Sequence, residues 1–393
     1  MAVPSRPTPS PDQSAGTGEA GRRSGPDLAD LIAGADARCS GRLGVVARRL
    51  GTDEELLWHG EDQFRTASTI KIAIHAALMA GVSAGRIDLG LRVPLRLSDL
   101  TGGSGVLSML RPGIQPTVAD LCTLMITISD NTATNMVIDL LGGVDAINET
   151  LHSLGFGEIV LHRRLPWAPP PLVAGPRPPF PGPVGPFGTA TPAALCRLVS
   201  DIKTGRLIDE AASRHLMATL GHQQVHTGVP RAFLKLSPPG QTPDKWPGVA
   251  NKTGAIEGCR ADVGLLELPG GPIIAYAVMA DDLSDETMTP LSEGDELMGR
   301  VGAALLRRWW QGPGPVLLRP GWPELRRSRH RAFRAAAFSI LARHFTPKNI
   351  SGLLTFVHLL RTEASTAKIY PRDSLHSLAG RRGFTCMRYL KRS

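Results

Sequence analysis

Apolar and polar positions fall into distinct blocks along this chain, and the blocks predict its elements. A helix begins at Pro26 and Asp27 and runs through LADLIAGADAR. Residues 42–50 and 55–59 read as two short strands, with Gly51, Thr52 and Asp53 as their turn. Residues 69–80, with IKIAIHAALMA almost wholly apolar, predict a buried helix. Thr117 caps a further helix, VADLCTLMITI, that ends near Ser129. Another covers 131–141 and stops at Gly142 and Gly143, and a short one covers 144–154. Helices follow at 192–203, with Pro192 in the first turn, and at 209–220. Residues 248–253, 261–268 and 272–280 read as strands, the last two joined by Pro269, Gly270 and Gly271. A helix over 293–310 closes the series. Two strands, many helices, three strands and a helix predict a mixed α/β (α+β) domain. Its first and last strands meet in one five-stranded antiparallel sheet flanked by helices, and an all-helical subdomain is inserted between them.

Composition changes the picture at the edges of this domain. The chain has 393 residues, 42% hydrophobic and 20% charged, which excludes wholesale disorder, collagen and coiled coil. Residues 1–26 are rich in Pro, Gly, Ser and Ala and read as a disordered leader. Residues 166–192 hold 11 prolines, so they are expected to form a loop and neither helix nor central strand. The net charge of +9 is uneven: residues 319–393 carry 16 Lys/Arg against 3 Asp/Glu, which leaves residues 1–318 mildly acidic. A domain over 27–311 followed by a basic extension over 312–393 is the expected organisation. Within the extension, residues 323–345 read as a basic helix with Leu325, Phe333, Ala337, Ile340 and Leu341 on one side. It would contact an anionic surface, or serve only as a solvated extension. The core carries no nucleic-acid motif.

Five scattered cysteines without metal-ligand spacing read as reduced thiols, so no metal and no cofactor is expected. The first residues lack an apolar export core, so the chain is expected to be cytoplasmic unless its start is misread. A monomer acting on a small-molecule substrate is expected.

Three short motifs carry candidate chemistry. Ser68 and Lys71 stand three residues apart at a helix start, one turn apart on one face. There a partly desolvated lysine can lose its proton and activate the hydroxyl. Ser129, Asp130 and Asn131 lie between two helices. Ser129 can relay a proton, Asp130 can pin the loop through backbone N–H groups, and the Asn131 amide can hold a substrate carbonyl. Lys252, Thr253 and Gly254 end a strand. Lys252 and Thr253 can bind a substrate carboxylate, and Gly254 admits a ligand to the backbone. The N–H of Ala255 would then share an oxyanion with the N–H of Ser68. Each motif alone is equally an ordinary cap or turn. All three in order, separated by 61 and 123 residues and each on the element its role requires, carry the weight.

The set resembles the class A β-lactamase and penicillin-binding protein superfamily over about residues 27–310. GSGVL from Gly103, LMITISDNTATN from Leu124 and ANKTGAIEG from Ala250 are similar to its serine hydrolases. The resemblance implies Ser68 as acylated nucleophile, Lys71 as its base and Ser129 as proton relay. It implies Asn131, Lys252, Thr253, Gly254 and Ala255 as substrate-binding, and Ser104 in a loop that walls the pocket. It implies opening of a β-lactam ring, or of a related amide or ester, through an acyl-enzyme on Ser68.

One departure is specific. Class A enzymes carry a Glu in a loop after these helices, and its carboxylate activates the deacylating water. Here no Asp or Glu occurs from Ile159 through Ser200. Glu158 precedes the loop, and His162 is a base by residue type alone. Acylation followed by slow deacylation, as in a penicillin-binding sensor or a D,D-peptidase-like esterase, is therefore the alternative expectation.

Overall fold

The computed structural model describes residues 27–166, 185–233, 236–237 and 246–310. The expected leader, most of the proline-rich segment and the basic extension lie outside the described residues. The chain divides into two units, Met1–Leu318 and Arg319–Ser393; only the first contains described residues.

The main sheet has the order β2-β1-β8-β7-β6, antiparallel throughout. Its strands are β1 (Arg42–Arg49), β2 (Glu55–Trp58), β6 (Gly248–Ile256), β7 (Cys259–Glu267) and β8 (Ile273–Asp281). The start and end of the domain meet where β1 pairs with β8, Val45 opposite Val278. Both faces of the sheet are covered, which is why its central strands read as nearly continuous apolar runs. On β8, Ile274, Tyr276, Val278 and Ala280 pack with α1 (Leu28–Asp36) and α8 (Glu293–Trp309). Ala275, Ala277 and Met279 point the other way, into the core of the helical subdomain.

That subdomain is built on α2 (Lys71–Ser83), which is buried without a break from Lys71 to Met79. Around it lie α3 (Val118–Thr127), α4 (Asn131–Leu140), α5 (Val144–Ser153), α6 (Pro192–Lys203) and α7 (Glu210–Gly221). The caps are those the sequence signals. Thr117 and Asp120 form a reciprocal capping box on α3, and Thr191 caps α6 ahead of its N-terminal proline. No helix of the described residues is long and apolar enough to cross a membrane. Cys39, Cys122, Cys196 and Cys259 are free thiols.

Two expectations need correction. Ser68 does not begin an α-helix; it lies in a 3-10 turn, Ala67–Ile70, and α2 starts at Lys71. A second sheet, of order β3-β5-β4, was not foreseen. It comprises β3 (Phe64–Arg65), β4 (Val160–Leu161) and β5 (Gly188–Ala190). Strand β5 falls inside the proline-rich stretch expected to be loop, and it is the central strand of this sheet. Thr189 pairs with Arg65 on one side and Val160 on the other. The reason is local: residues 188–190 hold no proline themselves, so every backbone N–H remains available to a ladder.

Candidate active site

The site lies where α2, the turn between α3 and α4, and the free edge of β6 converge. In the turn Ala67–Ile70, Ala67, Thr69 and Ile70 are buried and Ser68 is half-buried, so the candidate nucleophile is the member left accessible. Ala67 holds a left-handed backbone, φ 45°, immediately before it. For a residue with a Cβ this conformation costs about 1–2 kcal/mol. Among the described residues Ser68 Oγ has no hydrogen-bond partner.

Lys71 is fully buried because it opens an apolar helix. Its Nζ lies 2.9 Å from Ser129 O, 3.0 Å from Ser129 Oγ and 2.9 Å from Asn131 Oδ1. Burial drives its pKa well below the ordinary lysine value. The nearby charge of Lys252 lowers it further, while Asp130 opposes. The neutral amine that burial favours has a lone pair able to take a proton.

The turn between α3 and α4 is shaped to meet that lysine. Ser129 adopts φ 59°, which directs both its carbonyl and its hydroxyl at Lys71 Nζ. Asp130, fully buried, pins the loop as expected. Oδ2 accepts from the N–H groups of Val106 (2.7 Å) and Leu107 (2.9 Å), and Oδ1 accepts from Ala133 N–H (2.9 Å), capping α4. The pocket-wall loop therefore hangs on this carboxylate. Gly105 passes so close that an added Cβ would overlap Asp130, and its φ of 105° suits only glycine. Ser104 then reaches Ser129 O at 2.6 Å and Asn131 Oδ1 at 3.3 Å. Asn131 Nδ2 donates to Gly102 O at 3.0 Å, which leaves its second proton for a ligand.

The third wall is β6. Lys252 is fully buried; its Nζ donates to Thr253 O at 2.7 Å, and burial lowers its pKa to about 7 while Asp262 holds it up. A Cβ on Gly254 would lie 2.8 Å from Thr66 O and 3.0 Å from Ser68 N. The absent side chain is what lets the strand edge touch the nucleophile's turn. Ala255 follows, exposed, at the mouth.

Ser68, Lys71, Ser104, Ser129, Asn131, Lys252 and Gly254 thus meet across three elements; Thr253 and Ala255 adjoin them along β6, where alternation puts the Thr253 side chain on the other face from Lys252. His162 does not join them. Its Nε2 bonds Thr189 Oγ1 at 2.9 Å in the small sheet. Asp139, which touches the same segment, is engaged by Arg164 at 2.7 Å.

Four residues escaped the sequence reading. Asn135, one turn beyond Asn131 on α4, clamps Leu165: Nδ2 donates to Leu165 O (2.9 Å) and Oδ1 accepts from Leu165 N–H (3.0 Å). The half-buried Leu165 side chain packs on the helical core. His75, four residues after Lys71, is fully buried with no partner for either ring nitrogen. It meets His215 edge-on at 5.3 Å, and burial lowers its pKa to about 3. Asp262 is a buried carboxylate on β7. For Asp262 the available signal was a lone acid near the start of an apolar strand; for Asn135 it was the i,i+4 spacing to Asn131.

Residues 26–309 match the model of the beta-lactamase enzyme family. Among solved structures, the chain is similar to a β-lactamase from Sphaerobacter thermophilus DSM 20745, with 32% identity and a TM-score of 0.59, over 72% of this chain and 96% of that one. It is similar to an ancestral class A β-lactamase at 27% identity and a TM-score of 0.59, over 72% of this chain and 100% of that one. A mutant of PBP-A, solved as an acyl-enzyme complex with penicillin G, shows 26% identity and a TM-score of 0.58, over 72% and 97% of the two chains.

Proposed function

This chain belongs to the beta-lactamase enzyme family, and from that premise we propose that it opens β-lactam rings, or a related amide or ester, through an acyl-enzyme on Ser68. The observation that carries this reading is the burial of Lys71 against Ser129 and Asn131 one turn from Ser68. In the proposed reaction Ser68 Oγ attacks the carbonyl carbon while its proton passes to neutral Lys71 Nζ. The negative charge that develops on the carbonyl oxygen is met by the N–H groups of Ser68 and Ala255. As the C–N bond breaks, Ser129 Oγ–H protonates the leaving nitrogen and is resupplied from the Lys71 ammonium through their 3.0 Å contact. Lys252 receives the substrate carboxylate, with Thr253 taking part from the free edge of β6, and Asn131 Nδ2 donates to the acyl amide carbonyl.

Release requires a water and a base. One observation favours a long-lived acyl-enzyme: the segment that Asn135 clamps carries Leu165, and no Asp or Glu occurs from Ile159 to Ser200. Slow turnover is therefore the second reading. Intact-mass spectrometry after mixing with penicillin G separates the two, with Ser68→Ala as control. A transient adduct with product supports the hydrolase, and a persistent adduct supports the acylating sensor. The absence of any adduct on Ser68 refutes β-lactam recognition. Burst-free, rapid nitrocefin hydrolysis would refute the slow-release reading.

A further inference from the structure

Asp262 is a carboxylate buried in the sheet behind the site, on the face opposite the catalytic cluster. Side chains alternate along β6. Lys252 lies opposite Val263, which packs in the helical core. Asn251 and Thr253 share the other face, where Asp262 is the cross-strand partner of Thr253. Burying a carboxylate is unfavourable unless its oxygens are satisfied, and these are. Oδ1 accepts from Asn251 Nδ2 at 2.8 Å and from Tyr276 Oη at 3.1 Å. Gly264 stands between Asn251 and Tyr276 in the strand order. Its missing side chain lets a carboxylate two positions along β7 reach both. Oδ2 accepts from Val229 N–H at 2.7 Å, and a Cβ on Gly228 would overlap that oxygen. Every donor is neutral; burial raises the carboxyl's pKa to about 6, and the nearby charge of Lys252 opposes that rise.

We infer that Asp262 is a positioning residue for the anionic end of the substrate: it ties Asn251, the residue before Lys252 on β6, to the 3-10 turn Val229–Ala232. The inference rests on the proposed function above and adds a division of labour between the two buried lysines. Desolvation lowers both pKa values, but Asp262 opposes it at Lys252, which stays at about 7, while the charge of Lys252 lowers Lys71 further. One lysine then binds a carboxylate while the other acts as base.

Other charged groups lie on the elements packed here. Tyr276 on β8 bonds Asp262 directly. Arg231 lies on the Val229–Ala232 turn against Gly299 of α8. On α8, Asp295 pairs with Arg260 and Glu296 pairs with Arg300. On the opposite face lie Lys71 on α2 and the half-buried His215 on α7; Glu267 at the end of β7 pairs with Lys203, Asp281 at the end of β8 with Arg65, and Glu210 with Arg214 on α7.

The test compares two probes of Ser68 by intact mass: penicillin G, which carries a carboxylate, and a neutral fluorophosphonate, which does not. Asp262→Asn is expected to slow penicillin acylation about fivefold near neutral pH, the loss of protonated Lys252 when a pKa of about 7 falls by about one unit, and to slow fluorophosphonate labelling less, since that probe feels only the change at Lys71. The alkaline fall of the penicillin rate, which follows loss of the Lys252 proton, is expected to move to lower pH in the variant. Equal slowing of both probes would mark a merely structural residue and overturn the inference, as would an unchanged rate ratio and pH limb. Should Asp262→Asn fail to fold, Tyr276→Phe carries the test. Loss of one donor favours the neutral carboxyl, so the penicillin-to-fluorophosphonate ratio falls below wild type near pH 6 and matches it near pH 8. A wild-type ratio throughout overturns the inference. Wild-type protein that labels with fluorophosphonate but never with penicillin overturns the proposed substrate, and this inference with it.

Discussion

Replacing Asp130 by alanine tests whether one buried carboxylate holds the site together. The change deletes an acceptor of three backbone N–H groups, from Val106, Leu107 and Ala133, at 2.7–2.9 Å. Hydrogen bonds to an ionised group are worth about 1.5–3 kcal/mol each, and a lost N-cap about 1 kcal/mol. The contributions share one group and do not add in full. Because the site is fully buried, water does not replace the lost acceptor without local opening. A net loss of roughly 3–5 kcal/mol is expected, the range for breaking a buried charged network. At about 2–4 °C per kcal/mol for a domain of this size, the melting temperature falls by roughly 6–20 °C. Differential scanning fluorimetry and urea titration read this directly. Penicillin acylation of the folded fraction is expected to fall with it, because Ser104 and Asn131 are placed by the loop that Asp130 holds. Lys71 keeps its low pKa, since Asp130 was the influence opposing it. A variant that melts within about 2 °C of wild type would refute the reasoning.

His75→Leu removes a buried imidazole with two unpaired nitrogens. The folded pKa of about 3 lies below the ordinary 6.5, so the unfolded chain takes up the proton first and wild-type stability is lost as pH falls through that window. Urea melts at two pH values should show a flatter acid limb in the variant; an unchanged limb contradicts the assignment. Lys71 is likewise lowered on folding, so its contribution makes wild-type stability rise from neutral pH towards the ordinary lysine value of 10.5. Lys71→Met should flatten that rise and abolish Ser68 acylation, and an active variant would remove Lys71 from its role as base. Leu165→Glu places a carboxylate on the segment that Asn135 clamps. It is expected to shorten the acyl-enzyme lifetime by at least about tenfold in stopped-flow or mass measurements, at the low end of general-base effects. An unchanged lifetime would mean that the clamp does not present residue 165 to the water.

The sequence by itself determined the scaffold and the chemical groups. Strands buried on both faces left continuous apolar runs, capping residues marked where helices begin, and three short motifs supplied the groups proposed as nucleophile, base, relay and carboxylate site. These are local signals, carried by neighbouring residues. The small sheet escaped because strands of two or three residues are too short to show a period, and because β5 borrows both partners from distant segments. Only the tertiary structure decided which groups meet. Lys71 and Ser129 are 58 residues apart, and their contact exists because α2 is buried beneath the α3–α4 turn. Desolvation is a property of that packing, so the direction in which the two lysines titrate was not written in either motif. The same holds for Asp262, an ordinary acid in sequence that becomes a buried charge behind Lys252 once β6, β7 and β8 are paired. It holds for Leu165, whose significance begins when Asn135 grips its backbone. Residue types fixed which protons can move; burial and pairing fixed which of them are held and which are released.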